Sequence, residues 1–296
     1  MLLFETEERT EKLQARALSG TAAADPDDMI ELAWYIRQRD PKRAEDILTQ
    51  AETSPLSAGL EGRVALMRAE QQWLAGNVDA SYATAQKGFD HFSSFGDLTG
   101  CADTKLLQAF IAKSTSRVGE LDKLLSDAAD YANQAGDLDR SIFIRCAQIR
   151  EEVFRNPADC QSELISRIEP LESRLHLATT AQVIFTKGVV TFRTGNTADC
   201  IPLFASAMAK MQATGQILHA IICSSNISAI YNLLHDNEGG LEWAQRALDS
   251  SRTAGWPLQL GIALVRVAEC VRPAGRAELG LELLDEAHSL NNQMFI

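Results

Sequence analysis

Apolar positions recur along this chain at helical spacing, in amphipathic stretches that stop at short polar breaks, many of them carrying glycine. The breaks are periodic. One series runs through Gly96, Gly136, Gly215 and Gly255 at intervals of 40, 79 and 40, with His176 in the middle of the double interval where a glycine is missing. A second lies half a period away, through Gly76, Ser116, Asn156, Gly195, His235 and Gly275 at steps of 40, 40, 39, 40 and 40. Two breaks per repeat with helical patterning between them describe a helix–turn–helix hairpin, and hairpins stacked at one period build a solenoid. The pattern predicts an all-α fold, an α-solenoid of about seven hairpins with a repeat of about 40 residues, occupying residues 27–296. Residues 1–26 are expected to form an acidic capping helix, Phe4 to Leu18, and a connector from Ser19 to Pro26.

The same register governs side-chain size, because two helices cross closely only where side chains are small. Midway along each first helix stand Ala69, Ala109, Gln148, Gly188, Ser228 and Ala268. The second helices hold Ser81, Leu121, Cys160, Cys200, Gly240 and Gly280 early, and Gly88, Ala128, Arg167, Ala207, Ala247 and Ala287 later. Gln148 and Arg167 break their columns, and both fall in the hairpin that lacks its glycine and carries Pro170 inside its second helix. That fourth hairpin is expected to be irregular.

These columns resemble the tetratricopeptide repeat, with a large residue, Leu-Gly and Tyr on the first helix and Ala, an aromatic and Ala on the second. Ile227-Ser228, Tyr231, Gly240, Ala244 and Ala247 follow the pattern, as do Lys187-Gly188, Gly195, Phe204 and Ala207. The resemblance implies a right-handed superhelix whose first helices line the concave face. Repeats of this longer period look like the input regions of bacterial signalling proteins, including diguanylate cyclases of the GGDEF type and the sensing arms of transcription activators. Leu32 to Ala44, with its Asp40-Pro41 turn, resembles the opening hairpin of such regions. No GGDEF-type motif or DNA-reading helix–turn–helix is present in the chain.

Charge narrows the partners. A net charge of −12 repels nucleic-acid backbones and anionic lipid surfaces. The N-terminus leads straight into Glu5, Glu7 and Glu8, unlike a signal peptide, and the most apolar stretch, Leu258 to Val271, is interrupted by Gln259, Arg266 and Glu269. A cytoplasmic protein is expected. The six cysteines show no metal-type spacing, and Cys160 and Cys200 fit the small-residue columns, so neither metal nor cofactor is expected. Trp34, Trp243 and Trp256 read as packing residues. The five histidines are scattered, phosphate-binding glycine loops are absent, and Glu151-Glu152 beside Arg145, Arg150 and Arg155 reads as a solvated charged face.

The chain is accordingly expected to bind rather than catalyse. The candidate groove residues are Arg63, Trp73, Lys113, Arg145, Gln182, Phe185, Phe192, Arg193, Ser225, Asn226 and Asn232, since arginine and asparagine beside aromatics suit an extended peptide. The expected function is a non-catalytic sensor or scaffold that binds a protein or peptide and biases a downstream output. Alternatives are a small-molecule receptor, with a pocket near the fourth and fifth hairpins, and an assembly or chaperone adaptor. The last residues, ending Met294-Phe295-Ile296, offer no polar cap. The solenoid is therefore expected to continue past them, and this piece to associate end to end or as a homodimer.

Overall fold

The computed structural model describes residues 1–17, 25–115 and 117–294. The expected connector up to Ala24, the break at Ser116, and Phe295 with Ile296 lie outside the described residues. Within them the chain is all-α, with fifteen α-helices and no strand. An N-terminal helix, α1 (Glu7–Ala17), precedes seven consecutive pairs: α2 (Pro26–Ile36) with α3 (Pro41–Ala51), α4 (Ala58–Leu74) with α5 (Val78–Phe95), α6 (Leu98–Lys113) with α7 (Leu121–Gln134), and α8 (Leu138–Glu152) with α9 (Pro157–Glu163). They continue as α10 (Leu177–Arg193) with α11 (Cys200–Thr214), α12 (Ile217–Leu233) with α13 (Asn237–Ala254), and α14 (Pro257–Val271) with α15 (Ala277–Met294). Each helix packs on its neighbours in sequence, which makes the molecule a solenoid of hairpins.

The periodic breaks have one physical basis. Gly76, Gly96, Gly136, Gly195, Gly215, Gly255 and Gly275 all adopt positive φ, the conformation that ends a helix and frees the chain to turn. At the junction of α5 and α6, Gly96 takes the left-handed position, Asp97 N–H reaches back to Phe92 O (2.9 Å), and the Asp97 side chain then accepts from Gly100 N–H (2.9 Å). A glycine–aspartate pair thus closes one helix and caps the next. His235 follows the same rule with φ 63°, the positive φ among described non-glycine residues, and Asp236 caps α13 through Gly239 N–H. His176 does not. Its backbone is extended at the start of α10 (φ −63°, ψ 153°), because the preceding segment is not a regular helix.

That segment is the irregular fourth hairpin. After seven residues α9 widens into a π turn at Leu164–Ile168 and then tightens into a 3-10 turn at Glu169–Arg174, which contains Pro170. Pro170 has no N–H to continue an α-helical ladder. Arg167 accordingly points to solvent and Gln148 is only partly buried, whereas Ala69, Ala109, Ser228, Ala128, Ala207 and Ala247 are fully buried at their crossings.

The N-terminal helix begins at Glu7, three residues later than expected. The preceding Met1-Leu2-Leu3-Phe4-Glu5 leaves the cap and enters the solenoid, where Phe4 is buried and Leu2 and Leu3 are partly buried, a gain that one further helical turn would not give.

The superhelix also closes on itself. Arg39, in the turn after α2, donates to Ala213 O (2.6 Å) at the end of α11, and Gln38 Oε1 accepts from Leu218 N–H (3.1 Å) at the start of α12. Leu74 of the second hairpin shares an apolar cluster with Leu218 and Trp256 of the last two. At the far end Ile262, Leu279, Leu281 and Leu284 are exposed on the last hairpin.

Candidate functional site

Closure turns the concave face into a channel between the first helices, and the chain's own N-terminus fills one part of it. Trp34 Nε1 donates to Leu2 O (2.7 Å), Arg37 Nη1 to Leu3 O (3.1 Å) and Arg140 Nη2 to Met1 O (2.7 Å). Leu2 N–H donates to Tyr35 Oη (3.0 Å), whose hydroxyl donates in turn to Glu31. Burial, foremost, pushes the Tyr35 phenol up to about 12, so it stays a neutral acceptor and donor. The Phe4 ring, 6% exposed, lies between the Arg37 guanidinium at 4.3 Å and the Phe143 ring at 6.4 Å. Three successive carbonyls are therefore read by side chains from α2 and α8, independently of which residues carry them.

A buried ionic floor supports this segment. Asp103 on α6 takes Arg63 (2.7 Å) on one oxygen and Arg140 (2.8 Å) on the other, and Arg140 also bonds Asp137 (2.5 Å). Burial alone would raise the Asp103 carboxyl, but the two guanidinium groups outweigh it and hold it below the usual carboxylate range. Arg37 pairs with Glu70 (2.5 Å) in the same way.

Beyond the segment lies an open cavity of 1020 Å³, at the upper end of the volume of small-molecule and peptide pockets. Its walls come from every hairpin from the second to the seventh and are mostly aromatic and aliphatic: Trp73, Phe110, Phe154, Phe185, Phe192, Phe204 and Leu218 among them. His219 stands where this cavity meets the N-terminal segment, lining the open cavity and a small gap beside Leu3 and Phe4. Its ring is held edge-on by Phe110, Phe143 and Phe185 with centroids 6.0–6.3 Å away. Burial, reinforced by Arg150 and Lys113, pushes its pKa down to about 3, and its Nδ1 has no hydrogen-bond partner.

Of the residues expected in the groove, six line this cavity: Trp73, Lys113, Phe185, Phe192, Arg193 and Asn226. Trp73 stacks on Phe110 at 6.1 Å, Lys113 pairs with Glu151, and Arg193 lies over Phe154 at 4.6 Å. The other five sit elsewhere. Arg63 belongs to the ionic floor, and Arg145 ties α8 to α9 through Glu152 (2.8 Å) and Glu163 (2.6 Å). Gln182 is buried against Gln216 (2.7 Å), Ser225 is buried, and Asn232 accepts from the Cys270 thiol (3.2 Å). Cys160 and Cys200 are buried at their crossings, and burial pushes both thiols up. Trp34 and Trp256 are buried, and Trp243 packs against a core cluster.

Sequence reasoning missed Arg150, His219 and the N-terminal segment. The repeat held a signal for the first. Phe110, Arg150, Val189 and Ala229 stand 40, 39 and 40 residues apart and all line the cavity, as do Ser114, Phe154, Arg193 and Leu233 one step further along.

No protein-family model matches the chain, and no curated protein matches it in sequence. Among solved structures, the chain is similar to the Rap protein crystallised in complex with competence and sporulation factor, at a TM-score of 0.59 and 12% identity, with 98% of this chain and 90% of that chain covered. Such a likeness is one of fold, and together with the hairpin order above it makes the chain an all-helical, tetratricopeptide-like repeat protein.

Proposed function

We propose that this chain is a non-catalytic, cytoplasmic scaffold that binds an extended peptide in its channel and regulates a signalling output domain, of the diguanylate cyclase type. The observation that carries the binding half is the N-terminal segment: the channel already holds an extended polypeptide by its main-chain carbonyls, beside a cavity still open. Side chains that satisfy carbonyls three residues running are what a peptide-reading groove needs, since an unpaired amide costs about 1–3 kcal/mol to bury. The Rap protein, whose fold is similar, was crystallised with a bound factor. The regulatory half rests on the resemblance of Leu32 to Ala44 to the opening hairpin of cyclase input regions.

A tethered segment competes at millimolar effective concentration, so a peptide added in trans is excluded until the tether is loosened. Phe4→Ala should loosen it. A labelled Met-Leu-Leu-Phe-Glu peptide is expected to bind the Phe4→Ala variant saturably in fluorescence polarisation, and at least about tenfold more weakly once Arg37 is also replaced by Ala. Absence of saturable binding to the variant would sink the reading. A reading frame that encodes no cyclase, kinase or DNA-binding region after residue 296 would remove the regulatory half.

The mostly apolar walls of the cavity favour a second reading, a small-molecule receptor arm of a transcription activator. Its walls include Arg150 and Phe154 of the fourth hairpin and Phe185 and Phe192 of the fifth. Thermal-shift screening of metabolites against peptides separates the two.

A further inference from the structure

Among the described residues the buried arginines are neutralised, and a half-buried one on the channel wall is not. Arg37 faces Glu70, Arg63 faces Asp103, and Arg140 faces Asp103 and Asp137. Arg150, on α8, lines the open cavity, and its guanidinium donates to the Thr186 hydroxyl (2.7 Å) and lies 5.1 Å from the centre of the Phe185 ring. Among the described residues it forms no ion pair, and its sequence neighbour Glu151 is taken by Lys113. Desolvation by burial is the dominant influence on its charge. A guanidinium has five donors, and a half-buried cation that bonds one hydroxyl and no carboxylate has donors left for an incoming anion.

The cavity as a whole carries the same imbalance. Its lining holds Lys113, Arg150, Arg193 and Arg266; Glu151 pairs with Lys113 and Glu269 with Arg266 (2.7 Å), which leaves Arg150 and Arg193 without a carboxylate among the described residues, in a protein of net charge −12. The Nε of Arg266 is also buried without a partner, as is Nδ1 of His219, which is 7% exposed and borders the cavity. A neutral imidazole offers one donor and one acceptor nitrogen, so an amide group satisfies Nδ1 in either tautomer.

We propose that the cavity receives the C-terminal end of an apolar peptide, with its free carboxylate on Arg150 and its side chains against Phe110, Phe185 and Phe192. This rests on the peptide-binding reading above and adds what it lacks, the chemistry that orients the ligand. A bidentate guanidinium–carboxylate pair in an apolar wall supplies orientation as well as affinity. A peptide fits better than a free acyl acid because His219 joins the cavity to the place where the chain's own amides are held, and because aliphatic chains leave Nδ1 unsatisfied.

The test uses three probes on the intact chain: N-acetylated tetrapeptides randomised over Leu, Ile, Val and Phe with a free carboxyl terminus, the same mixture amidated, and dodecanoate. Affinities are read by calorimetry for the wild type, Arg150→Gln and Arg150→Lys. The wild type is expected to prefer the free-acid peptides over their amides by about 10- to 100-fold, the range of a charged hydrogen-bonded contact. Arg150→Gln should erase that preference while binding the amides as the wild type does, and Arg150→Lys should restore part of it. Equal affinity of the wild type for acid and amide overturns the proposal and leaves peptide binding standing. Dodecanoate binding as tightly as the acid peptides overturns the choice of a peptide. Failure of both peptide forms to bind overturns this proposal, while the reading beneath it stands or falls by the Phe4→Ala variant.

Discussion

His219 occupies a place where an imidazole can exist only in its neutral form. Three aromatic rings enclose it, no carboxylate is paired with it, and the nearby charges of Arg150 and Lys113 are of the wrong sign to stabilise a proton. Its folded pKa of about 3 lies below the ordinary 6.5, so the unfolded chain takes up a proton that the folded one refuses. Stability from this residue is therefore undiminished above pH 6.5 and is lost as pH falls from 6.5 towards 3. One proton's linkage amounts to about 1.4 kcal/mol per pH unit, which gives a loss of roughly 2 kcal/mol between pH 7 and pH 5. In urea unfolding, His219→Gln should narrow the gap between wild type and variant by that amount over this interval. A gap that stays constant with pH would show that the imidazole is protonated in the fold. Asp103 contributes in the same direction at lower pH, since its depressed carboxyl pKa stabilises the fold above the ordinary value of 3.8 and that stabilisation fades as pH falls through the folded value.

At the scale of helices, the crossings decide. The Phe92 ring is fully buried, and a Cβ at Gly100 would come within 2.3 Å of it, one at Gly62 within 2.9 Å. In an open helix Gly→Ala gains up to about 1 kcal/mol, whereas forcing a methyl into a filled crossing costs about 1–3 kcal/mol. Gly100→Ala is therefore expected to lower stability, and Gly59→Ala, on the same kind of helix with nothing within 4 Å of its Cβ, to raise it. Chemical denaturation of the two variants checks the signs, and a stabilised Gly100→Ala would refute the crossing argument. The small-residue crossings were legible in the sequence because the repeat writes each column six times over, and the glycine breaks for the same reason, whereas the Phe92 crossing at Gly62 and Gly100 stands outside those columns. The site was legible only in part. Arg150 stands among Arg145, Glu151 and Glu152 and reads as a charged surface, yet five residues along a helix is a rotation of about 140°, which sends Arg145 towards α9 and Arg150 into the channel. Met1 to Glu5 gave no local sign of its place, because its partners stand on α2 and α8, up to 139 residues away.

A stack of hairpins that touch only their neighbours has no inherent reason to enclose anything; its curvature sets the shape and its ends stay apart. Here the α2–α3 turn supplies what such a stack lacks. Arg39 satisfies a carbonyl at the C-terminus of α11, where a cation also meets the negative end of the helix dipole, and Gln38 satisfies an orphan N–H at the start of α12. Gly215 lies directly beneath, with positive φ and room for no Cβ, since one would sit 2.8 Å from Arg39 Nε. Two such caps are worth about 1 kcal/mol each, small beside the summed interfaces of the stack, so breaking them should change shape far more than stability. The Gln38→Ala/Arg39→Ala double variant is expected to keep the helical circular-dichroism signal and to unfold only slightly earlier. Its radius of gyration in small-angle scattering should increase as the first hairpin swings away from the sixth, and the channel's affinity for peptide should fall with it. A scattering curve superimposable on that of the wild type, with binding unchanged, would mean that curvature alone holds the channel shut, and that the turn merely rests where the stack has already brought it.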